Sequence, residues 1–206
     1  MSEYLLDTSS LPAGSPVEIN MTSGSVDSFL EFYNAETGKL MFWKNDGGSG
    51  QNARAFFVPT TGGPRYLIRA TAAAQLATGS FSLQASTGSP AAISTAQTIN
   101  GSLATNDQED PSFPGTYMDE YLISGSSTGQ KIRISLSSTT VDTFIFVLDA
   151  SDYSFVASDD DGAGGTSTSA RLDLTLKPGS RYIIRATSYS AAATGNYTLQ
   201  TSVLVP

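Results

Sequence analysis

The chain has no cysteine and no histidine among its 206 residues. Without Cys there is no disulfide, no thiol nucleophile and no Cys-based zinc site, and without His a Ser-His-Asp arrangement lacks its base. Most hydrolase mechanisms go with them. Basic residues are also scarce: 11 Lys and Arg stand against 19 Asp and Glu, a net charge of −8. The deficit is concentrated in residues 98–206, where six basic residues face twelve acidic ones, whereas residues 1–97 carry five against seven. A nucleic-acid site needs clustered Lys and Arg to displace counterions from phosphate, so nucleic acid is excluded as a partner. No apolar run approaches the ~20 residues that span a bilayer. The stretch MSEYLLDTSS lacks the basic and apolar regions of a signal peptide, so an exported form carries its leader outside this stretch. A chain without Cys suits a bacterial exterior or a cytosol, and the surface-like composition points to an extracellular or cell-surface setting in a bacterium.

What is present is a repeat. Val141 to Asp161, VDTFIFVLDASDYSFVASDDD, restates the layout of Val26 to Asp46, VDSFLEFYNAETGKLMFWKND: two apolar runs around a polar turn. The pairs Asp27 and Asp142, Arg65 and Arg181, and Gly79 and Gly195 recur at an offset of about 116 residues, and a fixed offset of that size defines its own domain boundaries. Each copy has the commonest domain length. With 39% hydrophobic and 15% charged residues and abundant Ser, Thr and Gly, the composition is that of a globular β protein. In the first copy EYLLDTS, PVEINMTS, DSFLEFYNA, LMFWKN, ARAFFVPT, RYLIRAT and GSFSLQAS each have strand length and are separated by Gly- and Pro-rich joins. Seven strands at this spacing predict an antiparallel sandwich, and TAAAQLA, too short for a stable helix, is expected to be a long turn. The expected organisation is all-β, two tandem antiparallel β-sandwich domains of jelly-roll type: residues 1–88, a small-residue linker 89–97 able to join a sheet at its end, and residues 98–206. The second copy has an additional segment before Met118, TINGSLATNDQEDPSFPGTY, and runs on past GNYTLQ into the apolar tail TSVLVP. The first copy begins at the equivalent of Met118 and lacks that leader strand.

The order of TINGSL, MDEYLI, VDTFIFVLD, the Asp-Asp-Asp-Gly turn, PGSRYIIRA and GNYTLQ resembles the bacterial pre-peptidase C-terminal domains, a family similar in pattern to the collagen-binding domains of secreted clostridial collagenases. The resemblance covers residues 98–200, and residues 1–86 without the leader. It implies a jelly-roll-like β-sandwich, secretion, and an accessory role beside a peptidase instead of a catalytic one.

The candidate chemistry is sparse. Gly125-Ser126-Ser127-Thr128-Gly129 fits the G-x-S-x-G pattern, but that motif needs a strand-to-helix elbow and a base, so it is expected to be a hairpin turn and the chain not an enzyme. Asp159, Asp160 and Asp161, followed by Gly162, form the candidate metal site. Adjacent carboxylates repel unless solvated, protonated or bridged by a hard cation such as Ca²⁺, and the NDQED loop at 106–110 could add oxygen ligands. The competing expectation is a solvated turn, since the first copy has only Asn45-Asp46 there. The three Asn-x-Ser/Thr sites, at Asn20, Asn100 and Asn196, match the number that chance supplies at this Ser and Thr content. Trp43 is expected in the core, with a sugar-stacking platform as the alternative.

Alternation along the strands carries the most information. In VDTFIFVLD, Ile145 and Val147 face one side while Phe144, Phe146 and Leu148 face the other, so both faces are apolar, whereas the first copy places Phe29, Glu31 and Tyr33 on the second face. Phe144, Phe146 and Leu148 therefore need a cover: the leader, the first copy or another molecule. Together with Val203, Leu204 and Val205 of the tail they form the expected interface. The expected function is a non-enzymatic extracellular structural protein whose subunits join head to tail into a fibre, the tail of one filling the missing leader position of the next. The alternative is a secreted accessory module binding a protein or polysaccharide. The partners are thus self or such a ligand, with Ca²⁺ as the candidate cofactor of the acidic turn and no other cofactor implied.

Overall fold

The computed structural model describes residues 1–12, 14–46, 50–59, 65–110, 113–162 and 168–205. Among these the chain is all-β with antiparallel sheets, as the strand-length runs predict, and no helix is long and apolar enough to cross a membrane. It divides into two compact units, residues 1–89 with 151–153, and residues 90–150 with 154–206.

The first unit contains β1 (Ser2–Leu6), β2 (Val17–Thr22), β3 (Ser28–Asn34), β4 (Leu40–Asn45), β5 (Ala53–Phe57), β6 (Tyr66–Ala72) and β7 (Ser82–Thr87). One sheet has the order β1-β6-β3-β4 and the other β5-β2-β7. Alternation decides what lies between them. In β2, Val17, Ile19 and Met21 are buried and Glu18 and Asn20 are not; Leu30 and Phe32 in β3, and Tyr66, Ile68 and Ala70 in β6, are their counterparts in the facing sheet. Phe32 stacks on Phe42 with centroids 4.4 Å apart and meets Phe57 edge-on at 5.7 Å. The expectation for Trp43 is corrected by register. Phe42, opposite Phe32, takes the core position, and Trp43, opposite Glu31, is on the outer face stacked 5.1 Å from Phe29.

The second unit contains β8 (Ala91–Ala92), β9 (Gln97–Leu103), β10 (Gln108–Glu109), β11 (Tyr117–Ser124), β12 (Gln130–Ser137), β13 (Thr143–Asp149), β14 (Phe155–Asp159), β15 (Ala170–Leu176), β16 (Arg181–Ser188) and β17 (Gly195–Val203). Its sheets are β10-β11-β16-β13-β14, with β8 parallel to β11, and β15-β12-β17-β9. Strands β11 to β17 repeat the pairing order of β1 to β7, down to a register shift between Phe32 and Tyr33 and between Val147 and Leu148. Three strands, β8, β9 and β10, have no counterpart among the described residues of the first unit. The small-residue stretch at 89–97 contributes two of them, since Ala91–Ala92 pairs with Tyr121–Leu122 and Gln97 opens β9. The Gly125–Gly129 turn joins β11 to β12, which are in different sheets, so it is a corner and not the hairpin expected.

Ile145 and Val147 are fully buried in the core of this unit. On the opposite face Phe146 and Leu148 are buried and Phe144 half-buried. Phe144 and Phe146 are covered by the chain's own leader segment: the ring of Phe113 packs 5.5 Å from Phe144, edge-on, and 6.4 Å from Phe146. Phe146 also lies opposite Arg185, which already binds two carboxylates, Asp110 at 2.6 Å and Glu120 at 2.9 Å. Phe146→Glu, the residue the first unit carries at Glu31, would remove a buried ring and add a third acid to one guanidinium. We expect it to lower unfolding stability by about 2–4 kcal/mol in urea titrations; an unchanged midpoint would mean that this face is not sealed.

Candidate functional site

The same strand order is thus closed by additional strands in one unit and open in the other, and the difference lies on one side. In the first unit β5 packs across from β3 and β4, which places the two edge strands β7 and β1 together on the opposite side. Among the described residues β7 pairs only with β2, and β1 only with β6. In the second unit the equivalent edges are occupied: β9 pairs along β17, and β8 and β10 flank β11.

Side-chain exposure records the consequence. The inward positions of β17 are Tyr197, Leu199 and Thr201, at 4%, 0% and 2% exposure. Their counterparts at β7 are Phe81 and Leu83, half-buried, and Ala85, exposed, although they face the buried Met21 and Ile19. On the other sheet Tyr121 and Leu122 are 6% and 8% exposed, while the matching Tyr4 and Leu5 are 41% and 54% exposed. The first unit therefore presents Phe81, Leu83 and Tyr4 on inward faces beside two strand edges that, among the described residues, have no ladder partner on their outer side, while Leu5, opposite Leu67, is on the outer face of its sheet; such an edge recruits an extended chain.

The closed counterpart shows what fills such a gap. Ile93 is buried, and its N–H donates to Leu122 O at 3.0 Å. Across β17, Ile99 opposes Leu199, Gly101 opposes Tyr197 and Leu103 opposes Gly195. Gly101 is required by this packing, because a Cβ there would stand 2.4 Å from the Tyr197 ring. Between the limbs Thr201 pins the crossing chain: its Oγ1 donates to Ser94 O at 2.6 Å and accepts from Gln97 N at 3.1 Å.

Tyr197 Oη ends the closed groove. It donates to Asp119 Oδ2 at 2.6 Å and shares a buried hydrogen bond with Tyr121 Oη. Burial lifts the Asp119 carboxyl to about 6, with the Tyr197 hydrogen bond pulling it down and the Asp107 charge pushing it up. Burial and the Asp119 charge raise the Tyr197 phenol. Ser2, Tyr4 and Phe81 occupy the matching positions in the first unit, so this polar cluster belongs to the second unit alone.

The acidic turn is organised from within. Asp159 Oδ2 accepts the N–H groups of Gly162 and Arg171, both at 2.7 Å, which makes it a turn cap joining β14 to β15. Asp160 and Asp161 lie near Asp142, whose carboxyl is raised by burial and then by those two charges. The NDQED loop is engaged elsewhere: Asp107 Oδ2 accepts from Ala104 N at 2.6 Å and Asp110 binds Arg185. Among the described residues no three His, Cys, Asp or Glu side chains are grouped to hold a metal ion. The tail residues are placed in the sheet. Val203 is the last residue of β17, opposite Ile132, Leu204 N donates to Lys131 O at 2.9 Å, and Val205 is exposed; Pro206 is outside the described residues. Asn100 and Asn196, from two of the Asn-x-Ser/Thr sites, lie on the neighbouring strands β9 and β17 and line a shallow groove of about 640 Å³ with Ser102, Ser138 and Thr198. The groove contains no carboxylate and no cation.

No family model matches the chain, and a search of curated proteins finds no relative. Among solved structures the fold is similar to the pre-peptidase C-terminal domain of a collagenase from Bacillus anthracis, at 18% identity and a TM-score of 0.40, covering 54% of this chain and 93% of that one. It is also similar to PliG of Aeromonas hydrophila, a periplasmic inhibitor of g-type lysozyme, at 12% identity and a TM-score of 0.37, covering 55% of this chain and 96% of that one.

Proposed function

We propose that the chain is a non-enzymatic binding module of the cell exterior that captures an extended polypeptide strand on the open side of its first unit. The observation that carries this reading is the contrast between Phe81, Leu83 and Ala85, left partly in water, and Tyr197, Leu199 and Thr201, sealed beneath β9. Backbone pairing along β7 supplies affinity, and the inward apolar positions select alternate side chains of the ligand. Of the two functions expected from sequence, this is the accessory binding module. The fibre required the tail from Thr201 onward as donor strand, and Thr201 to Val203 are already paired with β12 in their own sheet; they are not the donor proposed here.

Selection of a phage-displayed random peptide library on the full chain tests the proposal. We expect enrichment of extended sequences with alternating apolar residues, and loss of their binding in Ala85→Lys, where a charge on the exposed edge opposes strand addition. Selection without enrichment, or binding that survives Ala85→Lys, would overturn it.

A further inference from the structure

Resting on that reading, the closed unit specifies the ligand further: we infer that the open side accepts one segment making two successive strand contacts, first parallel to β1 at Tyr4 and Leu5, then antiparallel along β7, with a glycine beneath Phe81. The template is residues 90–103 of the same chain. There the segment pairs parallel with Tyr121 and Leu122, buries Ile93, crosses between the sheets, and continues antiparallel along β17 from Gln97 to Leu103. Both docking edges recur in the first unit with the same strand order, and both are exposed on the same side.

The occupant is therefore a polypeptide of defined chemistry. It carries two small residues and a β-branched apolar residue in its parallel limb, as in Ala91-Ala92-Ile93, and an apolar-x-Gly-x-apolar pattern in its antiparallel limb, as in Ile99 to Leu103. Glycine is demanded where the ring of Phe81 replaces that of Tyr197, because a Cβ opposite Tyr197 already stands at 2.4 Å. One feature of the template is missing from the acceptor. Thr201, which ties the crossing chain at Ser94 and Gln97, corresponds to Ala85, so the crossing in the first unit lacks its hydroxyl pin. A single strand on β7 would leave the edge of β1 and the inward-facing Tyr4 uncovered, which is why the two-limb ligand fits the exposed surface better than a one-limb ligand.

The probe is a fluorescent synthetic peptide with the sequence of residues 90–103, titrated by anisotropy into the full chain beside a shorter peptide of residues 97–103, which keeps the residue that stands opposite Thr201, the counterpart of Ala85. We expect the long peptide to bind at least about tenfold more tightly. Tyr4→Lys, at an exposed position, should weaken the long peptide and leave the short one unchanged, whereas Ala85→Lys should weaken both. Ala85→Thr should tighten the long peptide more than the short one, because only the long one carries the carbonyl at position 94 to which the restored hydroxyl donates. A long peptide carrying Gly101→Val should lose most of its affinity. Equal affinities of the two peptides, or indifference of the long one to Tyr4→Lys, would overturn the two-limb ligand while leaving strand capture on β7 intact. Binding of both peptides unaffected by Ala85→Lys would place the ligand elsewhere and overturn both readings. Absence of binding by either peptide would overturn the inferred ligand, and the library selection then decides strand capture separately.

Discussion

Arg185→Met is expected to lower the stability of the folded chain by about 3–5 kcal/mol, the loss typical when one partner of a buried ion pair is removed. The guanidinium is 1% exposed and holds Asp110, at 0%, and Glu120, at 8%. Removing it leaves two carboxylates in a site that water does not reach, flanked by Phe146 on the neighbouring strand. The same substitution at Arg69, which occupies the matching place in RYLIRAT, should cost less than about 1 kcal/mol. Its side chain is 29% exposed and its partners Glu3 and Glu31 are 43% and 23% exposed, so solvent replaces much of what the ion pairs supply. Urea unfolding of the two variants measures both. Combining Arg185→Met with Asp110→Asn and Glu120→Gln should recover part of the loss, because the uncompensated charge and not the missing attraction carries most of the penalty. Equal effects at Arg69 and Arg185 would mean that the leader segment does not seal the second unit.

Asp119→Asn is expected to stabilise the chain at pH 8 by up to about 3 kcal/mol and to have little effect at pH 4. The sign follows from the direction of the shift. Burial raises the folded-state carboxyl from 3.8 to about 6, so the folded state holds its proton more tightly than the unfolded one. The stabilisation from that proton is complete below the unfolded value and is lost as pH rises through about 6. An amide at 119 remains uncharged throughout and still accepts the Tyr197 hydroxyl, which removes the high-pH penalty and keeps the hydrogen bond. Other carboxyls, among them Asp107 and Asp142, are also raised by burial, so the difference between variant and parent is the quantity to measure. A gain of the same size at pH 4 and pH 8 would show that Asp119 is not the group that titrates.

Strand content and face assignment were legible in the sequence because a strand states its inward side locally. Val17-Glu-Ile-Asn-Met alternates, and Ile145 and Val147 part from Phe146 and Leu148 with no knowledge of distant residues. The shared order of signals in the two copies also made the repeat readable before any strand was paired. What sequence leaves open is the neighbour, because pairing joins segments far apart in the chain. Arg69 and Arg185 lie in nearly identical tracts, yet only one is sealed, since Asp110 and Phe113 arrive from a segment about 75 residues earlier that has no counterpart among the described residues of the first unit. Trp43 and Phe42 are equally apolar, and only the register with Phe32 sends one inward. The apolar tail reads as a free strand by composition but adds its first residues to β17, because Ile132 and Lys131 offer a ladder that unpaired backbone would otherwise lose to water. Asp119 carries no local sign of its raised carboxyl, which arises when Tyr197 and Tyr121 close over it from other strands. Local alternation thus determined which residues form the sandwiches, and long-range strand pairing decided which of their inward faces and edges are sealed.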